Sequence, residues 1–138
     1  MTPTPYLFFR GACREAMTFY AETLGGRITQ LMSCSDVPPG EFDVPTGKAD
    51  WIMHSAIEFD RGQLMGADDI MGGTPDMQGV SVAVSLPTVE EGGRVFDALA
   101  DGGEVHLKYG RTFWSPGFGM LRDRFGIRWM VTTDELPD

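Results

Sequence analysis

The chain has 138 residues, which suits one compact domain. Apolar residues make up 42% and charged residues 22%, a globular composition rather than a disordered one. The net charge is −9, with only 11 Lys and Arg and no basic run, so nucleic acid and anionic membranes are poor partners.

No apolar run approaches the ~20 residues needed to span a bilayer. The opening MTPTPYLFFRG has no basic segment ahead of its apolar stretch, so no signal peptide is expected. Cys13 and Cys34 fit no metal or redox spacing and read as reduced thiols. These features together lead us to expect a cytoplasmic protein.

Pro5–Phe9 is short, aromatic and bounded by Pro and Gly, which reads as a strand. Ala12, Ala16, Phe19, Tyr20 and Leu24 then recur every three or four residues, the spacing of one buried helix face, and Gly25 supplies the stop. Arg27–Ser35 reads as a second strand. Residues 36–50 carry three prolines and two glycines and read as a loop, long enough to be a flap over a site. Trp51–Asp60 alternates, with Met53, Ser55, Ile57 and Phe59 on one side and His54, Ala56 and Glu58 on the other. Arg61-Gly62 turns the chain into a fourth strand, Gln63–Ala67, with Asp68 expected in the turn after it.

Residues 68–79 join this half to a second one. Val80, Val82, Val84 and Leu86 alternate with Ser81, Ala83 and Ser85, giving a strand with one oily and one small polar face. Thr88–Glu91 is a T-x-x-E capping box that opens a second helix with a buried stripe of Val89, Val95, Phe96 and Leu99. Gly92 and Gly93 lie inside that helix at a cost of about 1 kcal/mol each against Ala, which close packing of helix on sheet would explain. Three more strands follow, near 104–109, 117–123 and 127–133.

The two halves repeat each other. ACREAMTFYAETLGGRI and TVEEGGRVFDALADGGEV each combine an acidic start, an aromatic on the helix face, a late Leu and a Gly-Gly pair. Glu15 to Glu91 and Tyr20 to Phe96 are both offset by 76 residues. A long internal period means a duplicated supersecondary unit. We therefore expect one domain over 1–138 made of two βαβββ modules, 4–70 and 79–133, with a shared core. The fold class is α+β with mostly antiparallel pairing.

Several chemical motifs fail on inspection. A phosphate loop ending at Gly47-Lys48 would need Gly at Phe42 and Ser or Thr at Ala49. Gly117-Phe118-Gly119 lacks the third glycine of a dinucleotide fingerprint, because Arg122 holds that position. With two histidines, a three-His zinc site is impossible. His106 sits in a polar strand and reads as a surface residue.

Four segments carry a family resemblance: PYLFFRGACREAMTFYAETLGG, Met53-His54-Ser55-Ala56, Leu64-Met65-Gly66-Ala67-Asp68, and TFWSPGFGMLRDRFGIRWMV at 112–131. In this order they resemble the vicinal oxygen chelate superfamily of glyoxalases, bleomycin-resistance proteins and dioxygenases, and its PhnB-like branch in particular. The resemblance implies eight strands curled around a cleft, with the helices outside, and pairing into a homodimer. Metal-dependent members place ligands on the first, fourth, fifth and eighth strands. Those positions fall here on Pro5 or Tyr6, on Met65 to Ala67, on Ser81 and on Met130. None is a good donor for a catalytic divalent ion, so neither a metal nor another cofactor is expected.

The expected function is therefore binding of a small molecule in a cleft of apolar walls with a few polar anchors. The candidate ligand-binding residues are Tyr6, His54, Ser81, Trp114, Arg128 and Met130. His54 leads, since imidazole titrates near neutral pH, against a bland role as a hydrogen-bonded cross-strand residue. Arg128 offers a planar fork for a carboxylate or phosphate, against a bland role as a surface residue beside Asp123. Glu58 lies about 13 Å from His54 along the strand and reads as solvated. The alternative is an enzyme of lyase, isomerase or oxygenase type, with His54 as catalytic base or as ligand of a non-standard metal site.

Overall fold

A computed structural model describes all 138 residues, which fall into two compact units, Met1–Pro75 and Asp76–Asp138. The first contains strands β1 (Tyr6–Phe9), β2 (Arg27–Ser33), β3 (Ile52–Phe59) and β4 (Gly62–Asp68), with helix α1 (Cys13–Leu24). The second contains β5 (Val82–Leu86), helix α2 (Val89–Ala100), β6 (Glu104–Gly110), β7 (Phe118–Arg122) and β8 (Arg128–Thr133). Each unit is thus βαβββ, and the α+β reading holds. The eight strands form two four-stranded mixed sheets, ordered β1-β4-β3-β2 and β5-β8-β7-β6. In both, the last strand returns parallel to the first while the other pairings are antiparallel. Neither helix is long and apolar enough to cross a membrane.

Strand parity divides each sheet into a covered and an open face. In the first unit, Leu7 and Phe9 of β1 and Ile57 and Leu64 of β3 and β4 are buried along with Ala16, Met17 and Tyr20 of α1. In the second, Leu121, Trp129 and Val131 are buried along with Val95, Phe96 and Leu99 of α2. Each large apolar side chain buried in this way contributes about 1.5–3 kcal/mol. The stripe expected on α1 is partly corrected. Phe19 and Leu24 are only half-buried, and Cys13, Met17 and Ala21 complete the covered face instead.

Asp68 is not the turn residue the sequence suggested. It ends β4, is 3% exposed, and accepts three backbone hydrogen bonds. Oδ1 takes the N–H groups of Gly11 (2.7 Å) and Cys13 (3.1 Å), and Oδ2 takes that of Ile52 (2.8 Å). Ala12 at the N-cap of α1 provides no side-chain bond, so Asp68 caps the helix from 55 residues away and matches the positive end of its dipole. Asp68→Asn replaces one accepting oxygen with a donor. The variant is expected to lose about 1.5–3 kcal/mol of stability per charged bond broken, read as a fall in the urea midpoint.

Cys13 lies beside this carboxylate with its Sγ 3.5 Å from Ser55 Oγ. Burial pushes its thiol up to about 12, with Asp68 adding to the shift and the Ser55 bond and Arg14 opposing it. Folding favours the neutral thiol, so this contribution is intact below the unfolded value of 9.0 and is lost as pH rises from there toward about 12. At pH 8 in the native state, alkylation of Cys13 followed by mass spectrometry should proceed no faster than global unfolding. Rapid labelling would show that the site opens locally.

Gly92 is tolerated in α2 because of Tyr109. A Cβ at Gly92 would run into the Tyr109 hydroxyl, which donates to Val89 O at 2.8 Å. Gly117, just before β7, faces the same ring. Thr88 caps α2 as its sequence implied, accepting from Glu91 N at 3.1 Å. Gly92→Ala should therefore destabilise by about 1–3 kcal/mol through overpacking, despite the gain in helix propensity. In a Tyr109→Phe background the same substitution should cost markedly less. Equal cost in both backgrounds, measured by thermal unfolding, would exclude the clash.

Candidate functional site

The open face of the first sheet centres on His54. Register sets Tyr6 opposite Met65, Met65 opposite Ala56, and Met32 opposite His54. The Tyr6 hydroxyl meets His54 Nδ1 at 3.0 Å, and the two rings stack with centroids 5.8 Å apart. His54 Nε2 meets Gln30 Oε1 at 2.6 Å. A neutral imidazole, with one nitrogen donating and the other accepting, satisfies both contacts. Both imidazole nitrogens are therefore engaged. Burial, with a smaller contribution from Cys13, raises the Tyr6 pKa and keeps its hydroxyl a donor at neutral pH. Phe8 (51% exposed) packs against Tyr6 at 5.3 Å, and Met32 (47%) borders the same patch.

Glu58, on the same strand, is exposed and pairs with Arg27 at 3.7 Å, a surface contact worth little. His106 is likewise a surface residue, 3.7 Å from Glu104.

The open face of the second sheet carries its own set. Ala83, Met130, Met120 and Leu107 lie across it in register, as do Ser85, Thr132 and Phe118. Trp114, in the loop before β7, is half exposed and meets Phe118 edge-on at 5.4 Å. Met130 is thus central, with Trp114 toward one end. Ser81 directly precedes Val82, whose partner is Trp129, so parallel register brings Ser81 to the Arg128 end. Arg128 and Thr132 are four residues apart, so the Ser81–Arg128 group and Trp114 mark opposite ends of the face, about 13 Å apart.

Arg128 is not paired with Asp123. That carboxylate is buried and accepts from Phe125 N (2.9 Å), Ile127 N (3.0 Å) and the Trp129 indole (2.8 Å). Arg128 instead stands directly opposite Arg122. Its Nε is shut off from solvent and has no hydrogen-bond partner. Such a buried donor costs about 1–3 kcal/mol or more when charged, and like charges directly opposite each other are also unfavourable.

Sequence reasoning missed Gln30, Met32 and Arg122, and it favoured the core for Tyr6 and Phe8, which are exposed instead. A bulge between Ile28 and Gln30 hides the parity that would have turned Gln30 toward His54. Parity with Tyr6 gives the face of Phe8 once that face is known to be open.

The donor set at the superfamily's metal positions does not fit a catalytic divalent ion. In the first unit Tyr6 is already bonded to His54 and its register partner is Met65. In the second, the two positions are a serine hydroxyl and a thioether, Ser81 and Met130. No three His, Cys, Asp or Glu side chains lie close enough together to hold an ion.

A shallow groove between α2 and β6, lined by Phe96, Asp97, Ala100, Asp101, Val105 and Lys108, lies away from these residues on the helix flank of the second sheet.

Comparison with known proteins places these sheets in a family. Residues 4–131 match the model of the Glyoxalase/Bleomycin resistance protein/Dioxygenase superfamily. Protein YjdN of Escherichia coli K12 is 32% identical over 138 residues, covering 95% of this chain and 94% of the relative. The crystal structure of PA1353 from Pseudomonas aeruginosa superposes with a TM-score of 0.87 at 36% identity, covering 96% and 97% of the two chains. A PhnB protein from Bacillus cereus, described as a putative 3-demethylubiquinone-9 3-methyltransferase, superposes with a TM-score of 0.80 at 26% identity, covering 96% and 99%. With two βαβββ units of the expected topology and a family match spanning nearly its whole length, the chain belongs to the glyoxalase/bleomycin resistance/dioxygenase superfamily.

Proposed function

We propose that this protein is a PhnB-like member of the superfamily that binds a small organic molecule on its open sheet faces without a catalytic metal. The observation that carries this reading is the environment of His54. Tyr6 and Gln30 hold both ring nitrogens, while Phe8, Met32 and Met65 form an apolar surround on the same face. A few fixed polar groups set in apolar walls suit recognition of a small ligand. Both ring nitrogens already have protein partners, which favours a positioning role over that of a metal ligand. Thioethers around the site fit an adaptable lining. The similarity to the PhnB protein of Bacillus cereus supports the branch assignment. The methyltransferase description belongs to that protein. Here no glycine-rich nucleotide loop follows a strand, which argues against methyl transfer from a nucleotide-type cofactor.

Two measurements test the reading. Elemental analysis of purified protein, with thermal shifts against Zn, Ni, Mn and Fe, should show no stoichiometric ion. A fragment screen by native mass spectrometry should yield ligands whose affinity falls about tenfold in His54→Ala, because the Tyr6 hydroxyl and Gln30 amide that His54 holds in place are released. A stoichiometric ion that disappears in His54→Ala would overturn the metal-free reading, and failure of every fragment to bind would overturn the binding reading.

A further inference from the structure

We propose that Arg128, with Arg122 beside it, anchors an oxyanion on the ligand, a carboxylate or a phosphoryl-type group. The inference rests on the small-molecule binding reading and narrows it to acidic ligands. Three observations lead to it independently of that reading. Arg128 Nε is buried and lacks a partner, although a buried N–H ordinarily has one. The residue directly across the strand pair is a second arginine, so the register adds repulsion rather than relief. The backbone around Arg128 is held in place, since its N–H donates to Met77 Sδ at 3.3 Å and its neighbour Trp129 is tied to Asp123. A half-buried arginine with a tethered backbone and one unsatisfied N–H has donors to offer an acceptor.

The surroundings fit this chemistry. Asp76 pairs with Arg122 at 4.0 Å between exposed side chains, a surface contact worth little. Glu104 lies opposite Arg122 on the other side and is turned to His106 at 3.7 Å. Ser81 approaches the same end through the β5–β8 register and adds a hydroxyl donor. Met120 and Met130 continue the face away from the arginines. An acidic head at Arg128 with an apolar body along the methionines would use both the arginines and the thioethers. Arginine suits this role better than lysine, because its planar fork meets two oxygens at once.

The test follows the Nε–Hε signal of Arg128 by 15N NMR, identified by its loss in Arg128→Lys. Sodium phosphate and sodium benzoate are titrated separately, at ionic strength held constant with sodium chloride. We expect a saturable shift with at least one of them, and the anion that saturates at the lower concentration identifies the head group as phosphoryl or carboxylate. Arg128→Lys keeps the charge but removes the fork, and should weaken that anion about tenfold when binding is followed at a second reporter, the Trp129 indole signal. Arg128→Met should raise Tm in the absence of anion, since it removes the orphaned donor and the clash of charges. It should also abolish the thermal stabilisation that the anion gives to the unmodified chain. Absence of a saturable shift with either anion, or equal affinity in Arg128→Lys, overturns the anchor. Should neutral fragments still bind and remain indifferent to Arg128→Lys, small-molecule binding stands without it. If no fragment of any charge binds, both fall.

Discussion

One buried carboxylate organises the first unit. Asp68 gathers N–H groups from Gly11, Cys13 and Ile52, and thereby joins the entry of α1, the start of β3 and the end of β4. Elements far apart in sequence depend on those two oxygens. The alternative, three amides left without acceptors in an apolar surround, would be severely unfavourable. Asp123 does the same locally in the second unit, closing the turn from β7 to β8 and reaching the Trp129 indole in the core. The two units share a topology, yet each has placed its organising acid at a different corner.

With those corners fixed, alternation along the strands decides the rest. One face of each sheet is committed to a helix, so any chemistry must reside on the other. That is why His54 stands near Tyr6 and Met32 while Ser55, one residue on, is buried and donates to Gly66 O at 2.8 Å. It is also why Arg128 shares a face with Met130 while Trp129 between them belongs to the core. The superfamily scaffold thus survives changes at its metal positions. Those side chains lie on the open faces, where replacement alters what the sheets can hold without disturbing what holds the sheets together.

Much of this was legible in the sequence because it followed from period. The two helices, the order of strands and the parity of His54 and Ser85 came from spacing, while the face of Met130 came from the family resemblance. The cap at Thr88 was readable because it is local, four consecutive residues. The role of Asp68 was not, because its partners lie up to 57 residues away and an Asp after a strand looks like any turn residue. The Arg122–Arg128 juxtaposition was equally hidden. It depends on how β7 and β8 pair across the Asp123 turn, and a one-residue slip would have placed the two on opposite faces.

The seam between helix and sheet shows how far the duplicated units have diverged. At matching helix positions α1 carries Ala16 and Met17 where α2 carries Gly92 and Gly93. In the first unit the bulk comes from the helix, with Met17 lying over Gly66 of β4. In the second it comes from the sheet, with Tyr109 of β6 rising against Gly92. The same volume is filled from opposite sides. Each helix therefore fits only its own sheet: exchanging them would crowd one seam and hollow out the other. What began as a repetition of one unit has become a pair of non-interchangeable parts.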